Sequence, residues 1–101
     1  MQRRKEHKMP KVLQIILSSL WIFSFYDTDI NENRAHVHAG HRGTRRLVKI
    51  WLEPEVELAD AGELNSSEAN EALKIAKQYK DEILEQWKIF KQGKTVTIIK
   101  K

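Results

Sequence analysis

The sequence contains no cysteine among its 101 residues. Without cysteine there is no disulfide and no thiolate ligand for a metal ion, which fits a reducing compartment. We therefore expect a cytoplasmic protein. Prolines are also few, and both mark predicted strand boundaries: Pro10 precedes the first strand, and Pro54 ends a later one because it cannot donate to a central ladder.

The sequence also lacks an uninterrupted apolar segment of the ~20 residues that a membrane-spanning helix needs. Residues 12–26 are largely apolar and follow a basic stretch, so they resemble the start of a signal peptide. However, Gln14 and three serines interrupt this run, and no small-x-small cleavage site follows it. We expect neither a signal peptide nor a membrane partner.

Charge of either sign is not strongly in excess. The formal net charge is +4 and the pI is near 9.4, which mildly favours an anionic partner such as RNA, DNA or an acidic protein. The length predicts one domain. We divide the chain into a disordered basic extension (1–8), a single α+β domain (9–90) and a tail with a β-strand (91–101). Met9 is a second candidate for the first residue of the functional chain.

Segments in which apolar and polar residues alternate with a period of two predict most strands of a sheet. Strands are expected at 11–17 and 20–26, with Trp21, Phe23 and Phe25 on the core side of the second strand. Residues 27–34 are rich in Asp and Asn and predict a loop. A hairpin is expected over 35–52, and a short edge strand at 55–58.

One long helix is predicted in the second half of the chain. Asn65 and Glu68 form a variant capping box, apolar residues then recur at helical spacing as far as Phe90, and Gly93 is a natural stop. Residues 95–99 are β-branched and predict a last strand. The fold class is therefore α+β: an antiparallel sheet of four to five strands packed on one long helix, with a short terminal strand.

The hairpin contains three of the four histidines. If its turn is centred on residues 41–42, His36 lies opposite Leu47 and His38 opposite Arg45. One face then carries the two histidines with Arg45, Lys49 and Trp51, and the other carries a better core: Val37, Ala39, Arg46, Val48, Ile50 and Leu52. We expect the histidine face to look at solvent.

These residue types indicate several kinds of site. His36 and His38 can serve as general acid and base, with help from Tyr26, as in a metal-independent ribonuclease. The predicted phosphate- or nucleic-acid-binding residues are Arg42, Arg45, Arg46, Lys49 and Trp51. Alternatively, the histidines only form hydrogen bonds within the hairpin and to the 27–34 loop, and the arginines are a solvated patch.

A metal site is a further alternative for the His-x-His pair, but it needs a third or fourth ligand. The nearest candidates in sequence are Asp27, Asp29, Glu32 and His41. Nothing in the sequence fixes any of them at the right spacing. We therefore expect no metal and no cofactor.

Several segments, taken in order, resemble one known family. They are Met9-Pro10-Lys11-Val12, Phe25-Tyr26, His36-Val37-His38-Ala39, Val48-Lys49-Ile50-Trp51-Leu52 and the helix ending Asp81-Glu82-Ile83-Leu84-Glu85-Gln86-Trp87. Together they resemble the bacterial domain-of-unknown-function family DUF4160 over roughly residues 9–90. In that family prolines usually precede the first histidine, whereas Arg34-Ala35 stands here.

The resemblance implies a small bacterial protein encoded beside a small protein partner, in a two-gene arrangement of the toxin–antitoxin type. Our first hypothesis is a toxin-like component that acts on RNA. The alternative is a non-catalytic module that binds a protein or nucleic acid, or forms a homodimer through its terminal strand. The sequence does not decide whether the chain is an enzyme.

Overall fold

The computed structural model describes residues 11–16 and 20–101. The predicted basic extension and residues 17–19, where the first predicted strand ends, lie outside the described residues. The described strands are β1 (Lys11–Ile16), β2 (Leu20–Ser24), β3 (His36–His41), β4 (Val48–Trp51), β5 (Glu57–Asp60) and β6 (Ile99–Lys100). The helices are α1 (Ser66–Gln78), α2 (Lys80–Lys91) and a 3-10 helix (Asp27–Asn31). The α+β class is confirmed.

The described strands form one sheet in the order β5-β4-β3-β2-β1-β6. Neighbouring strands from β1 to β5 are antiparallel, and β6 adds to β1 in parallel. The terminal strand is shorter than the predicted 95–99. The backbone N–H of Thr97 donates to Oε1 of Gln86 on α2, so the chain reaches the sheet ladder only at Ile99.

The core lies between α1, α2 and one face of the sheet. Its sheet side confirms the predicted alternation, because the following side chains are all fully buried: Trp21, Phe23, Phe25, Val37, Ala39, Val48, Ile50 and Leu52. The helices contribute mainly Ala72, Ala76, Ile83, Trp87 and Phe90. Arg46, which was predicted on this face, is exposed because it precedes β4.

The helical segment begins at the predicted cap. Asn65 Oδ1 accepts from the Glu68 amide at 2.8 Å, and Glu68 Oε1 accepts from the Asn65 amide at 3.2 Å. The predicted single helix is divided at Tyr79, although the Tyr79 amide still donates to Ile75 and the Ile83 amide to Tyr79. None of the helices in the described part of the chain is long and apolar enough to cross a membrane.

The predicted register of the histidine hairpin is wrong. His36 pairs with Trp51 and His38 with Lys49, each four residues beyond the expected partner. The reason is the length of the connection, since β3 ends at His41 and β4 begins only at Val48. A shift by an even number keeps the side chains of β3 and β4 on their predicted faces, so this error left the predicted core unchanged apart from Arg46. β5 is likewise two residues later than predicted, after a bend at 53–55.

Candidate functional site

Asp29 is the centre of a buried polar cluster. It lies in the 3-10 helix that joins β2 to β3, where the Asp29 amide donates to the Tyr26 carbonyl at 3.0 Å. In return, the Tyr26 amide donates to Oδ2 of Asp29 at 2.8 Å. This reciprocal pairing turns the carboxylate inward, and only 4% of the residue is exposed.

His36 is fully buried beside this carboxylate. Its Nε2 lies 3.1 Å from Oδ1 of Asp29, and its Nδ1 lies 2.9 Å from the Arg34 carbonyl oxygen. Trp51 and Trp87 pack against the ring, with centroids 5.6 and 5.1 Å away. The ring is therefore fully buried between aromatic side chains and does not contact bulk water.

His38 contacts the other oxygen of the same carboxylate. Its Nε2 lies 3.2 Å from Oδ2 of Asp29, and the Tyr26 ring stacks on the imidazole at 3.8 Å with 17° between planes. The His38 side chain keeps 9% exposure, so it lies at the boundary between the cluster and the surface. The two imidazoles are 5.3 Å apart and nearly perpendicular.

The carboxylate at the centre is held in its ionised form. Burial by itself raises the pKa of the Asp29 carboxyl, but the contacts with His36, His38 and the Tyr26 amide outweigh burial and hold that pKa well below its usual range. Burial and the nearby Asp29 charge both raise the pKa of the Tyr26 hydroxyl. The cluster therefore contains a fixed negative charge in contact with both imidazoles and the Tyr26 amide.

The family model described as "Domain of unknown function (DUF4160)" matches residues 21–88. The chain belongs to this family. The matched segment includes Tyr26, Asp29, His36 and His38, and it excludes β1 and β6. Neither the curated proteins nor the solved structures include a match to the chain.

Lys49 and Trp51 lie at the rim of the cluster in this DUF4160 chain. Nζ of Lys49 is 4.6 Å from the centroid of the Trp51 ring, and the guanidinium carbon of Arg34 is 4.2 Å from it. Each cation also has an acid nearby: Lys49 lies 3.6 Å from Glu32, and Arg34 lies 3.6 Å from Glu57. The charge at this rim is therefore largely neutralised.

The remaining predicted binding residues lie elsewhere, in the connection between β3 and β4. We call Arg42, Arg45 and Arg46 the arginine turn. All three are exposed, and none takes part in an ion pair within the described part of the chain. Oε1 of Glu63 accepts from the backbone amides of Arg45 and Arg46, which fixes the turn without using the guanidinium groups.

A cavity of about 310 Å³ opens beside the arginine turn. Its lining comes from β2, β3 and the connection itself: Ile22, Ser24, Gly40, His41, Arg42, Gly43, Thr44 and Leu47. Oγ of Ser24 is buried and has no hydrogen-bond partner among the described residues. The predicted residues are thus divided into two groups, the histidine cluster with its rim and the arginine turn with its cavity.

The expectation that the histidine face looks at solvent is wrong. The 27–34 segment, predicted to be a loop, forms a 3-10 helix that places Asp29 against both rings. Asp29 was one of four ligand candidates from the sequence, and Trp87 was assigned to the core alone. The sequence signal for Asp29 is its place three residues after Tyr26, the spacing of a capping box.

Proposed function

We propose that this DUF4160 chain is a cytoplasmic, toxin-like component of a bacterial two-protein module of the toxin–antitoxin type, and that it acts on RNA. A small protein encoded nearby would be its partner. The observation that supports an RNA target best is the arginine turn, where three guanidinium groups are exposed and none forms an ion pair within the described part of the chain. Guanidinium groups bind phosphate oxygens in a bidentate geometry.

The cavity beside the arginine turn supports the same proposal. Its volume of about 310 Å³ is at the lower end of the range for small-ligand sites. Ile22 and Leu47 supply apolar walls, and the unpartnered Ser24 hydroxyl supplies a polar group. A base inserted there would lie next to phosphates bound by the arginines, which is how single-stranded RNA is commonly held.

The catalytic part of the proposal rests on His38 and Tyr26. Asp29 orients the His38 ring through Nε2. Lys49 lies directly opposite His38 in the register of β3 and β4. A carboxylate that fixes the ring of a general base is a recurring arrangement in enzymes. His36, which was predicted to share this role, has no exposed surface and would act through Asp29.

The proposal predicts that Arg42→Gln/Arg45→Gln/Arg46→Gln weakens RNA binding and abolishes growth arrest. Each phosphate contact to a single strand contributes about 0.7 to the slope of log affinity against log salt, so losing three contacts should reduce that slope by about 2. Binding to a labelled single-stranded RNA, measured by fluorescence anisotropy at several salt concentrations, gives the slope. Growth after induction in a bacterial host gives the second readout.

A matched control removes the same charge from another surface. Lys74, Lys77 and Lys88 are exposed on α1 and α2, and their triple change to Gln should leave the RNA affinity close to that of wild type at each salt concentration. An equal loss in both triple variants would show that net charge alone attracts RNA. An unchanged affinity in the arginine variant would remove the arginine turn from the proposal.

The alternative function is a non-catalytic module that associates with its own copy through β6. Within the described sheet β6 is an edge strand, and the neighbouring Ile98 is 46% exposed. Exposed edges are templates for strand addition. This alternative predicts a dimer that becomes a monomer when the chain is truncated after Gly93 or carries Ile98→Lys, measured by light scattering coupled to gel filtration. A monomeric wild-type chain at high concentration would contradict it.

A further inference from the structure

Three metal-ligating side chains meet inside this protein. Asp29, His36 and His38 are all buried, and each offers one ligand atom within 4.8 Å of the others. They come from two elements, the 3-10 helix and β3, so the fold brings them together. A carboxylate with two imidazoles is a ligand set that suits zinc and neighbouring divalent transition metals.

The hydrogen bond of His36 fixes which ring nitrogen is available. The Arg34 carbonyl oxygen only accepts, so Nδ1 of His36, 2.9 Å away, must donate to it. In a neutral ring, Nε2 then has a lone pair, and this atom faces the carboxylate of Asp29 at 3.1 Å. Two acceptors would face each other at that distance.

The geometry at Nε2 of His36 gives a second, independent observation. This atom is buried and has no hydrogen-bond partner of acceptable geometry among the described residues. A buried polar atom left without a partner costs about 1–3 kcal/mol, and native structures rarely tolerate it. A cation bound to Nε2 removes that cost and also separates the lone pair from the carboxylate.

The distances agree with a shared ion. Metal–ligand bonds of about 2.0–2.2 Å at tetrahedral angles place neighbouring ligand atoms roughly 3.3–3.6 Å apart. The two histidine nitrogens lie 3.1 and 3.2 Å from the oxygens of Asp29, so small movements would admit the ion. The bond from Nδ1 of His36 to a backbone carbonyl is the usual outer contact that orients a metal-binding histidine.

We propose that Asp29, His36 and His38 bind one divalent transition-metal ion, with Zn²⁺ as the reference ion, through Nε2 of both histidines and the carboxylate. Three protein ligands leave a fourth position for water or another ligand. The sequence predicted no metal because it could not place a third ligand, and the 3-10 helix supplies one. The proposal does not depend on RNA binding or on the arginine turn.

The competing arrangement has no metal. In it, His36 is an imidazolium that donates from Nδ1 to the Arg34 carbonyl and from Nε2 to Asp29. Both arrangements give each ring nitrogen of His36 a partner. They differ in whether Nε2 carries a proton or binds a metal ion. A measurement that sees metal binding directly therefore separates them.

The test is calorimetric titration of the 101-residue chain, first treated with a chelator, with Zn²⁺ alone at neutral pH. We expect one ion per chain. Co²⁺ should give visible absorption bands of a tetrahedral or five-coordinate site, and nitrogen NMR should show two imidazoles bound through Nε2. Asp29→Asn and His38→Gln should weaken Zn²⁺ binding by at least about 100-fold, since changes that merely disturb a supporting group already cost ~10–100-fold.

The matched control is His41→Gln. His41 lies on the same strand and also has a carboxylate neighbour, with Nδ1 3.3 Å from Glu68, but it is outside the cluster. This variant should bind Zn²⁺ as wild type does. Failure of wild type to bind either ion, or unchanged binding in Asp29→Asn, would overturn the proposal. The wild-type titration and spectra decide the question even if a cluster variant does not fold.

Discussion

Asp29→Ala should lower the free energy of unfolding of the metal-free protein by about 3–5 kcal/mol, because a hydrogen bond to a charged group contributes about 1.5–3 kcal/mol and the Asp29 carboxylate accepts more than one. The carboxylate contacts both His36 and His38, and it accepts from the Tyr26 amide. Removing it leaves the Tyr26 amide and Nε2 of His38 without their acceptor, and it takes the carboxylate away from the buried ring of His36. The 3-10 helix also loses the contact that fixes it over β3.

Chemical denaturation in the presence of a chelator measures this effect, and the midpoint should fall without a change in the denaturant slope. The matched control is Asp27→Ala, two residues earlier in the same 3-10 helix. Asp27 is exposed and accepts from the Thr28 amide, so we expect a loss of no more than about 1 kcal/mol. Equal losses in the two variants would show that the histidines do not depend on Asp29.

Asp29→Asn separates the effect of removing the charge from the effect of removing the side chain. The amide keeps the volume and one acceptor oxygen, but it carries no charge and places a second donor group near His36 or His38. We expect an intermediate loss of about 2–3 kcal/mol, because a hydrogen bond to a charged group is worth about 1.5–3 kcal/mol. A loss as large as that of Asp29→Ala would mean that charge, rather than size, accounts for the whole contribution.

The sequence predicted the core well because the core depends on alternation. Trp21, Phe23 and Phe25 all point to one side at a period of two, and Val48 and Ile50 repeat the pattern on β4. The alternation along one strand does not depend on which residues of the next strand lie opposite. The core was therefore predicted correctly on β3 and β4 although the hairpin register was wrong by four residues. The register itself depends on the length of the β3–β4 connection, and residues 42–47 contain no two-residue turn motif that would have fixed it.

The candidate site was predicted in its residue types but not in its arrangement. The polar composition of residues 27–34 indicates a turn, and composition alone does not show which carboxylate points inward. That choice depends on the hydrogen bonds that Asp29 and Tyr26 exchange. It also depends on Trp87 of α2, which packs against the His36 ring beside Asp29. Contacts of this kind join residues far apart in the chain, so a single sequence does not predict them.

Gly62→Ala should destabilise the protein by about 3 kcal/mol. Gly62 has a φ of +59°, in the left-handed region where a side chain costs about 1–2 kcal/mol. A Cβ at this position would also meet backbone atoms, with the Leu47 carbonyl oxygen at 2.6 Å and the Arg46 carbonyl oxygen closer still. Forcing extra atoms into a packed region typically costs a further 1–3 kcal/mol.

Gly43→Ala separates the two contributions to this loss. Gly43 also has a positive φ, +90°, but a Cβ there would meet nothing within 4 Å. Its loss should therefore be close to the conformational cost alone, about 1–2 kcal/mol. Denaturation midpoints of the two variants and the wild type, measured side by side, give the difference. That difference reports how tightly the segment around Gly62 packs on residues 46–47, where the Glu63 amide donates to the Arg46 carbonyl. Equal losses would mean that this segment moves away from the start of β4 at little cost, and the support for the arginine turn would then have to come from the Glu63 side chain alone.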